Sequence, residues 1–145
     1  MPDKVKITCL RCGATNNYPL TTEGKKVVCG RCKNPLPVPG VVLEPTPEEL
    51  QTLLRDGRLP VLIDFFSPTC GPCHMMHPIV ERLAERRKGE IMTVKVNVDT
   101  QPQAAASFSI QAVPTFVVYA LGYERGRTSG ATPETDFSLW VAGKA

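Results

Sequence analysis

The sequence has no apolar run of membrane-spanning length, and its N-terminus, Met-Pro-Asp-Lys-Val-Lys-Ile-Thr-Cys, lacks the apolar core of a signal peptide. These absences argue against a membrane protein and lead to the expectation of a cytoplasmic address. A strong charge imbalance is also missing, since the formal net charge is only +3 over 145 residues. Residues 1–40 carry seven Lys and Arg against Asp3 and Glu23, a balance of +5, which leaves −2 for the remainder. Four thiolates around a divalent cation would bring that segment down to about +3, too weak a basic surface to indicate nucleic acid. Nor is there a cysteine outside a pair: all six fall into three Cys-x-x-Cys motifs. In an exported chain of this length such pairs would suggest a disulfide framework. Without a signal segment, the tight pairing favours metal and redox chemistry. What is present, 42% hydrophobic and 21% charged residues, suits a soluble globular protein.

Cys9-Leu10-Arg11-Cys12 and Cys29-Gly30-Arg31-Cys32 are separated by sixteen residues. Each short turn aims two sulfurs at one point, and a hairpin between them would complete a tetrahedron, the pattern of a four-cysteine zinc site. Gly13 and Gly30 are expected to take the positive φ such turns often need. Asn16 to Leu20 and Lys25 to Val28 read as short strands around the turn Thr21-Thr22-Glu23-Gly24. Val5, Ile7, Leu10, Tyr18, Leu20, Val27 and Val28 would form a core too small to fold without a metal clip. The alternative, two ordinary disulfides, is disfavoured in a reducing compartment. The segment resembles a zinc ribbon.

The alternating prolines of Pro35-Leu36-Pro37-Val38-Pro39-Gly40 favour a stiff, extended connector. The expected division is a ribbon over 1–36, a linker over 37–40 and a second domain over 41–145. In that domain Val41-Val42-Leu43 reads as a short first strand. Thr46-Pro47-Glu48-Glu49 opens a helix with an N-cap, a proline at the first position and a capping box; Gly57 stops it. Val61 to Phe66 is a continuous apolar run broken only by Asp64, the pattern of a strand buried on both faces. Met76, Ile79, Val80 and Leu83 mark a following amphipathic helix that ends near Arg86 to Gly89. Further strands are expected over Ile91–Val98, Thr115–Ala120 and near Glu124–Ser129. A short helix capped by Asp99 or Thr100 and a last helix starting at Thr132-Pro133-Glu134 complete the pattern, a mixed sheet flanked by helices.

Cys70-Gly71-Pro72-Cys73 lies where the buried strand passes into the helix, so unpaired N–H groups and the helix dipole favour a thiolate at Cys70. Asp64 six residues earlier, Pro78 inside the helix and Val113-Pro114-Thr115 downstream complete a set that resembles the thioredoxin family. With the ribbon in front, the similarity is to its thioredoxin-2 type. The resemblance covers roughly 41–145 and implies an α/β thioredoxin fold preceded by a small zinc ribbon. It implies Cys70 as nucleophile, Cys73 as resolving thiol, Asp64 as the buried acid taking the proton of Cys73, and Lys95 as a member of that proton network. It also implies a cis bond before Pro114, with Val113 beside Cys70. Thr69, Gly71, Pro72 and Val113 would then meet substrate. Independently of the resemblance, a carboxylate inside an apolar strand should have a raised pKa.

Two residues depart from the family. Thr69 stands where tryptophan is usual, replacing an aromatic platform by a hydroxyl. His74 replaces a lysine or arginine and could add pH sensitivity. His77, on the Cys73 face of the helix, is read as packing rather than as a metal ligand. The function these residues imply is protein-disulfide reduction, with one Zn²⁺ per chain in a structural or redox-sensitive site and no tightly bound organic cofactor. Thioredoxin reductase, bringing FAD and NADPH, and disulfide-containing clients would be the partners of a monomer. The rival is a zinc-ribbon interaction or chaperone module whose second domain mainly binds clients.

Overall fold

Phe65 and Phe66 illustrate the plan of the molecule, since neighbours on one strand are buried in opposite directions. The computed structural model describes residues 4–20 and 26–145. Every residue of strand β3, Val61–Phe66, is buried. Alternation sends Val61, Ile63 and Phe65 into one cluster and Leu62 into another, so β3 forms the centre of two cores. β3 pairs in parallel with β4 (Met92–Asn97) and antiparallel with β5 (Thr115–Ala120), which pairs in turn with β6 (Tyr123–Ser129). Helices α1 (Pro47–Asp56) and α3 (Pro102–Ser107) pack on one face, and α2 (Gly71–Arg86) and α4 (Glu134–Lys144) on the other. This is the mixed sheet flanked by helices that the sequence leads one to expect.

Local chemistry fixes the helix ends. Thr46 accepts from the N–H of Glu49, and Glu49 accepts in return from the N–H of Thr46, completing the expected capping box, a feature worth about 1 kcal/mol. Arg82 grips Glu134 through two bonds of 2.9 and 2.8 Å, and Arg86 adds a third, clasping α4 to α2. These arginines hold the Glu134 carboxyl at a pKa of about 2.

Several expected details differ. Val41–Leu43 is not a strand: only Leu43 bridges to Val94, held between prolines at 39 and 45 that restrict its neighbours. The cap of α3 is Gln101, without a side-chain bond, while Asp99 accepts from Ser67 Oγ at 2.9 Å. Pro133 caps α4, not the Thr132 hydroxyl. β6 pairs along its length despite its polar sequence, with a bulge near Val118 and Tyr119.

In the N-terminal segment, β1 (Lys4–Thr8) pairs antiparallel with β2 (Thr15–Pro19) across the first cysteine turn. Among the described residues, the pairing of β2 with the Lys25–Val28 strand that the sequence suggests is not seen for Lys26, Val27 or Val28. Val28 instead bridges to Pro35 across the second cysteine turn and is 47% exposed. Each Cys-x-x-Cys is thus itself the turn of a small hairpin. The turn expected at Thr21 to Gly24, and Lys25 with it, lies outside the described residues. Val5, Ile7, Tyr18 and Leu36 are buried in the same cluster as Leu50, Leu53 and Val61, so the segment lies against the α1 side of the sheet. The Thr8 hydroxyl donates to the Asp56 carbonyl, and Arg11 pairs with Glu49 at 3.7 Å.

Candidate active site and metal centre

β3 leads into Ser67-Pro68-Thr69, and α2 begins at Gly71 with Cys70 as its N-cap. Cys70 Sγ accepts from the N–H of Cys73 at 3.1 Å, the capping bond usually made by a side-chain oxygen. Such a donor stabilises negative charge on sulfur, as does the dipole of a helix of this length. Cys70 and Cys73 are joined in a disulfide. Cys70 is half-buried, whereas Cys73 is only 1% exposed. Attack from outside therefore has to fall on Cys70. The peptide bond between Val113 and Pro114 is cis, and the Val113 carbonyl oxygen lies 3.6 Å from Cys70 Sγ. Gly71 and Pro72 are exposed beside it, as is Thr69, whose hydroxyl lies 3.3 Å from that of Ser67. His74 does not point free into solvent: its Nε2–H donates to the Pro68 carbonyl at 2.7 Å, tying α2 to the turn.

Asp64 lies beneath α2, 2% exposed, and burial raises its pKa from 3.8 to about 7 against the opposing pull of Lys95. Lys95 is the register partner of Asp64 on β4. Its ammonium pairs with Glu44 at 3.3 Å and sits 5.7 Å from the centre of the Phe66 ring. Nothing in the sequence marks Glu44, and only its place after the Leu43 bridge brings it here. His77 packs edge-on against Phe66, as expected, but it also borders the Asp64 cavity, which its spacing from Cys73 alone does not reveal.

The other four cysteines converge as a group. The sulfurs of Cys9, Cys12, Cys29 and Cys32 all lie within 4.8 Å of one another, Cys9 to Cys32 and Cys12 to Cys29 at 3.6 Å. A tetrahedral ion with sulfur at about 2.3 Å requires sulfur separations of about 3.8 Å, so the cluster fits a metal. The two turns are near copies. The N–H of Cys9 donates to Ala14 and that of Gly13 to Cys9, as the N–H of Cys29 does to Asn34 and that of Lys33 to Cys29. Gly13 has φ of 78°, as expected, but its counterpart is Lys33 at 65° rather than Gly30. Gly30 instead occupies the position of Leu10, and its N–H donates to Asn16 Oδ1.

Donors surround the sulfurs: Asn16 Nδ2 and the N–H of Arg31 reach Cys29, and Asn34 Nδ2 reaches Cys32. Hydrogen bonds from the Cys32 backbone, Asn16 and Arg31 bring the Cys29 thiol down to about 6 against some desolvation. For Cys12, the N–H of Ala14 pulls downward, but desolvation and the three neighbouring sulfurs push it up to about 11. Four thiolates so close together repel one another, and a cation at their centre would relieve that repulsion. Among the described residues, no helix is long and apolar enough to cross a membrane.

Comparison with known proteins agrees with this geometry. Residues 41–143 match the family described as Thioredoxin. Thioredoxin 1 of Chlorobaculum tepidum is 46% identical over 86 residues, 59% of this chain and 85% of its own length. Thioredoxin C-3 of Corynebacterium nephridii is 30% identical over 135 residues, 93% of this chain and 92% of its own, so that match extends into the N-terminal segment. The solved structure of a mutant thioredoxin from Halobacterium salinarum superimposes with a TM-score of 0.66 and 29% identity, covering 74% of this chain and 94% of that one. With a dithiol at the head of α2 and a match over most of its length, the chain belongs to the thioredoxin family and is a disulfide oxidoreductase of it.

Proposed function

We propose that the chain is a protein-disulfide reductase acting through Cys70 and Cys73, with residues 1–36 forming a zinc ribbon, 37–40 a linker and 41–145 the catalytic domain. The observation that carries this reading is the asymmetry of the dithiol: Cys70 is accessible and accepts an N–H, while Cys73 is buried behind it. In the reduced form, the Cys70 thiolate attacks a client disulfide, forming a mixed disulfide and releasing one client thiolate. Cys73 then gives its proton to Asp64 and attacks Cys70 sulfur. The Cys70–Cys73 bond forms, and the second client sulfur leaves. Lys95 holds positive charge beside Asp64, which keeps the carboxylate accessible as a base near neutrality. Thr69, Gly71, Pro72 and the Val113 backbone line the approach to Cys70, where an extended client segment can pair.

The oxidised form is recharged by a thioredoxin reductase drawing on NADPH, and the setting is the cytoplasm. The protein works as a monomer. Zn²⁺ held by Cys9, Cys12, Cys29 and Cys32 would supply a structural cross-link, one ion per chain. The donors on Cys29 and Cys32 are suited to stabilise metal-bound thiolates. A client-binding module without catalysis would not require the nucleophile and resolving thiol to differ so sharply in burial.

The two cysteines are tested separately. Cys70→Ser should abolish reduction of a generic protein disulfide in the presence of dithiothreitol or reductase. Cys73→Ser should accumulate mixed disulfides with clients on a non-reducing gel, because attack survives without resolution. Equal trapping by both variants would reject the assignment.

A further inference from the structure

Asp64 Oδ1 and His77 Nε2 are both buried atoms without a hydrogen-bond partner among the described residues. They belong to different elements, β3 and α2, yet both residues line one narrow cavity of about 10 Å³ with Val42, Val80, Glu81 and Lys95. A cavity of that size has room for about one water, and such a water needs at least two polar partners. The unpartnered oxygen and nitrogen are two such partners. Orphaned polar atoms are costly, and two of them on residues that line one cavity need an explanation beyond packing.

The proton taken by Asp64 also needs an exit. Asp64 is 2% exposed, and the neighbouring Lys95 Nζ is engaged by Glu44 at 3.3 Å. His77 is partly exposed and carries a second ring nitrogen, so it can take a proton on one side and release it on the other. We propose that His77 is the proton outlet of Asp64, connected to it by one water in this cavity. This rests on the reading that Asp64 accepts the proton of Cys73. During resolution the Cys73 S–H bond breaks, and its proton goes to Asp64. Cys73 sulfur bonds to Cys70, the Cys70–client bond breaks, and the electron pair leaves with the client thiolate. As Asp64 takes that proton, it passes one on through the water to His77 and to solvent, so that deprotonation of Cys73 and release of the client proceed together and Asp64 returns to a carboxylate.

The charged groups around His77 suit this task. Burial above all, and then Lys95 from β4 and His74 from α2, disfavour a permanent positive charge on the imidazole, while Glu81 from α2 and Glu44 before α1 partly offset them. His77 therefore lies below its ordinary 6.5 while Asp64 rises to about 7. A carboxyl raised above the imidazole makes the transfer to His77 uphill, so His77 carries the proton only in passing before giving it to solvent.

The test measures release of a client peptide from a preformed mixed disulfide with Cys70, between pH 6 and 8, in His77→Ala, His77→Gln and Asp64→Asn. Both His77 variants should slow release roughly tenfold, less than the ~10²-fold typical of a primary base, because bulk water can partly substitute. Glutamine can hydrogen-bond the water but cannot carry the proton, so it should be as slow as alanine, and added imidazole should restore the rate in His77→Ala. In an Asp64→Asn background the His77 substitutions should have no further effect. Wild-type release by His77→Gln, failure of imidazole to rescue, or an undiminished His77 effect in the Asp64→Asn background would overturn the outlet. Unchanged release by Asp64→Asn alone would instead remove the reading of Asp64 on which it stands.

Discussion

The four-cysteine cluster and the redox pair are built from the same Cys-x-x-Cys motif, yet their sulfurs are arranged in opposite ways. In the N-terminal segment, sulfurs of different motifs approach to 3.6 Å, Cys9 with Cys32 and Cys12 with Cys29. At the head of α2, Cys70 bonds to Cys73 of its own motif. The difference lies in the backbone just after the second cysteine. Beyond Cys12 and Cys32 the chain enters left-handed backbone at Gly13 and Lys33 and turns back as a hairpin, leaving both sulfurs aimed outward at a common centre. Beyond Cys73 the helix continues, and the N–H of His74 reaches back to the Cys70 carbonyl. Helical geometry buries Cys73 and leaves Cys70 at the mouth. In this chain the exit conformation decides whether the sulfurs of a Cys-x-x-Cys converge with those of another motif or pair with each other at a helix head.

Removing the metal should separate the regions most strongly. Structural zinc in small modules is worth about 10 kcal/mol or more, so a strong chelator should release one ion per chain and unfold residues 1–36. The catalytic domain should stay folded and active, but with a lower melting temperature, because Leu50 and Leu53 lose the cover of Val5, Ile7 and Tyr18. Metal analysis with calorimetry checks this. Zinc near zero in protein purified under reducing conditions would end the metal reading.

Asp64→Asn sharpens the catalytic side. Because the folded-state pKa is raised from 3.8 to about 7, the unfolded chain releases this proton more readily than the fold does. The resulting penalty is absent below about pH 4, grows between pH 4 and 7, and is complete above 7 at on the order of 4 kcal/mol. Replacing the acid by an amide should raise stability at pH 8 by roughly 2 kcal/mol, the rest going to burial of the amide, with little gain at pH 4. Urea unfolding at the two pH values decides it. An equal gain at both would show that charge is not the cause.

Much of this arrangement is legible in the sequence because it depends on neighbours in the chain. The capping box of Thr46 and Glu49 needs only residues three apart, and the two-sided burial of β3 follows from an unbroken apolar run. The four-cysteine spacing likewise implies a convergence that the sulfur distances display. Other features depend on residues that meet only after folding. β1 escapes a reading by pattern, since five residues with Lys4 and Lys6 outward show only Val5 and Ile7 as a signal. The packing of the segment along α1 leaves no mark beyond Gly13, where a side chain would meet the Asp56 carboxylate. His77 is legible as a packing residue, but the cavity it shares with Asp64 requires the crossing of α2 over β3.

A smaller effect tests the symmetry of the two cysteine turns. Lys33 holds φ of 65°, which costs a residue with a side chain about 1–2 kcal/mol, part of which glycine returns as backbone entropy. Lys33→Gly should therefore stabilise the metal-loaded segment by about 0.5 kcal/mol, seen as a modest rise in the concentration of chelator needed to unfold it. A destabilised segment would mean that the exposed bond from Lys33 Nζ to the Gly30 carbonyl matters more than the backbone.

The most direct test of two chemistries from one motif is a redox titration of the full chain with bound zinc quantified at every potential. The Cys70–Cys73 pair should pass between dithiol and disulfide in a single two-electron step, while zinc stays at one ion per chain and Cys9, Cys12, Cys29 and Cys32 resist alkylation throughout. Zinc leaving in step with oxidation of Cys70 and Cys73 would contradict the account, because the two sets of sulfurs would then be one system.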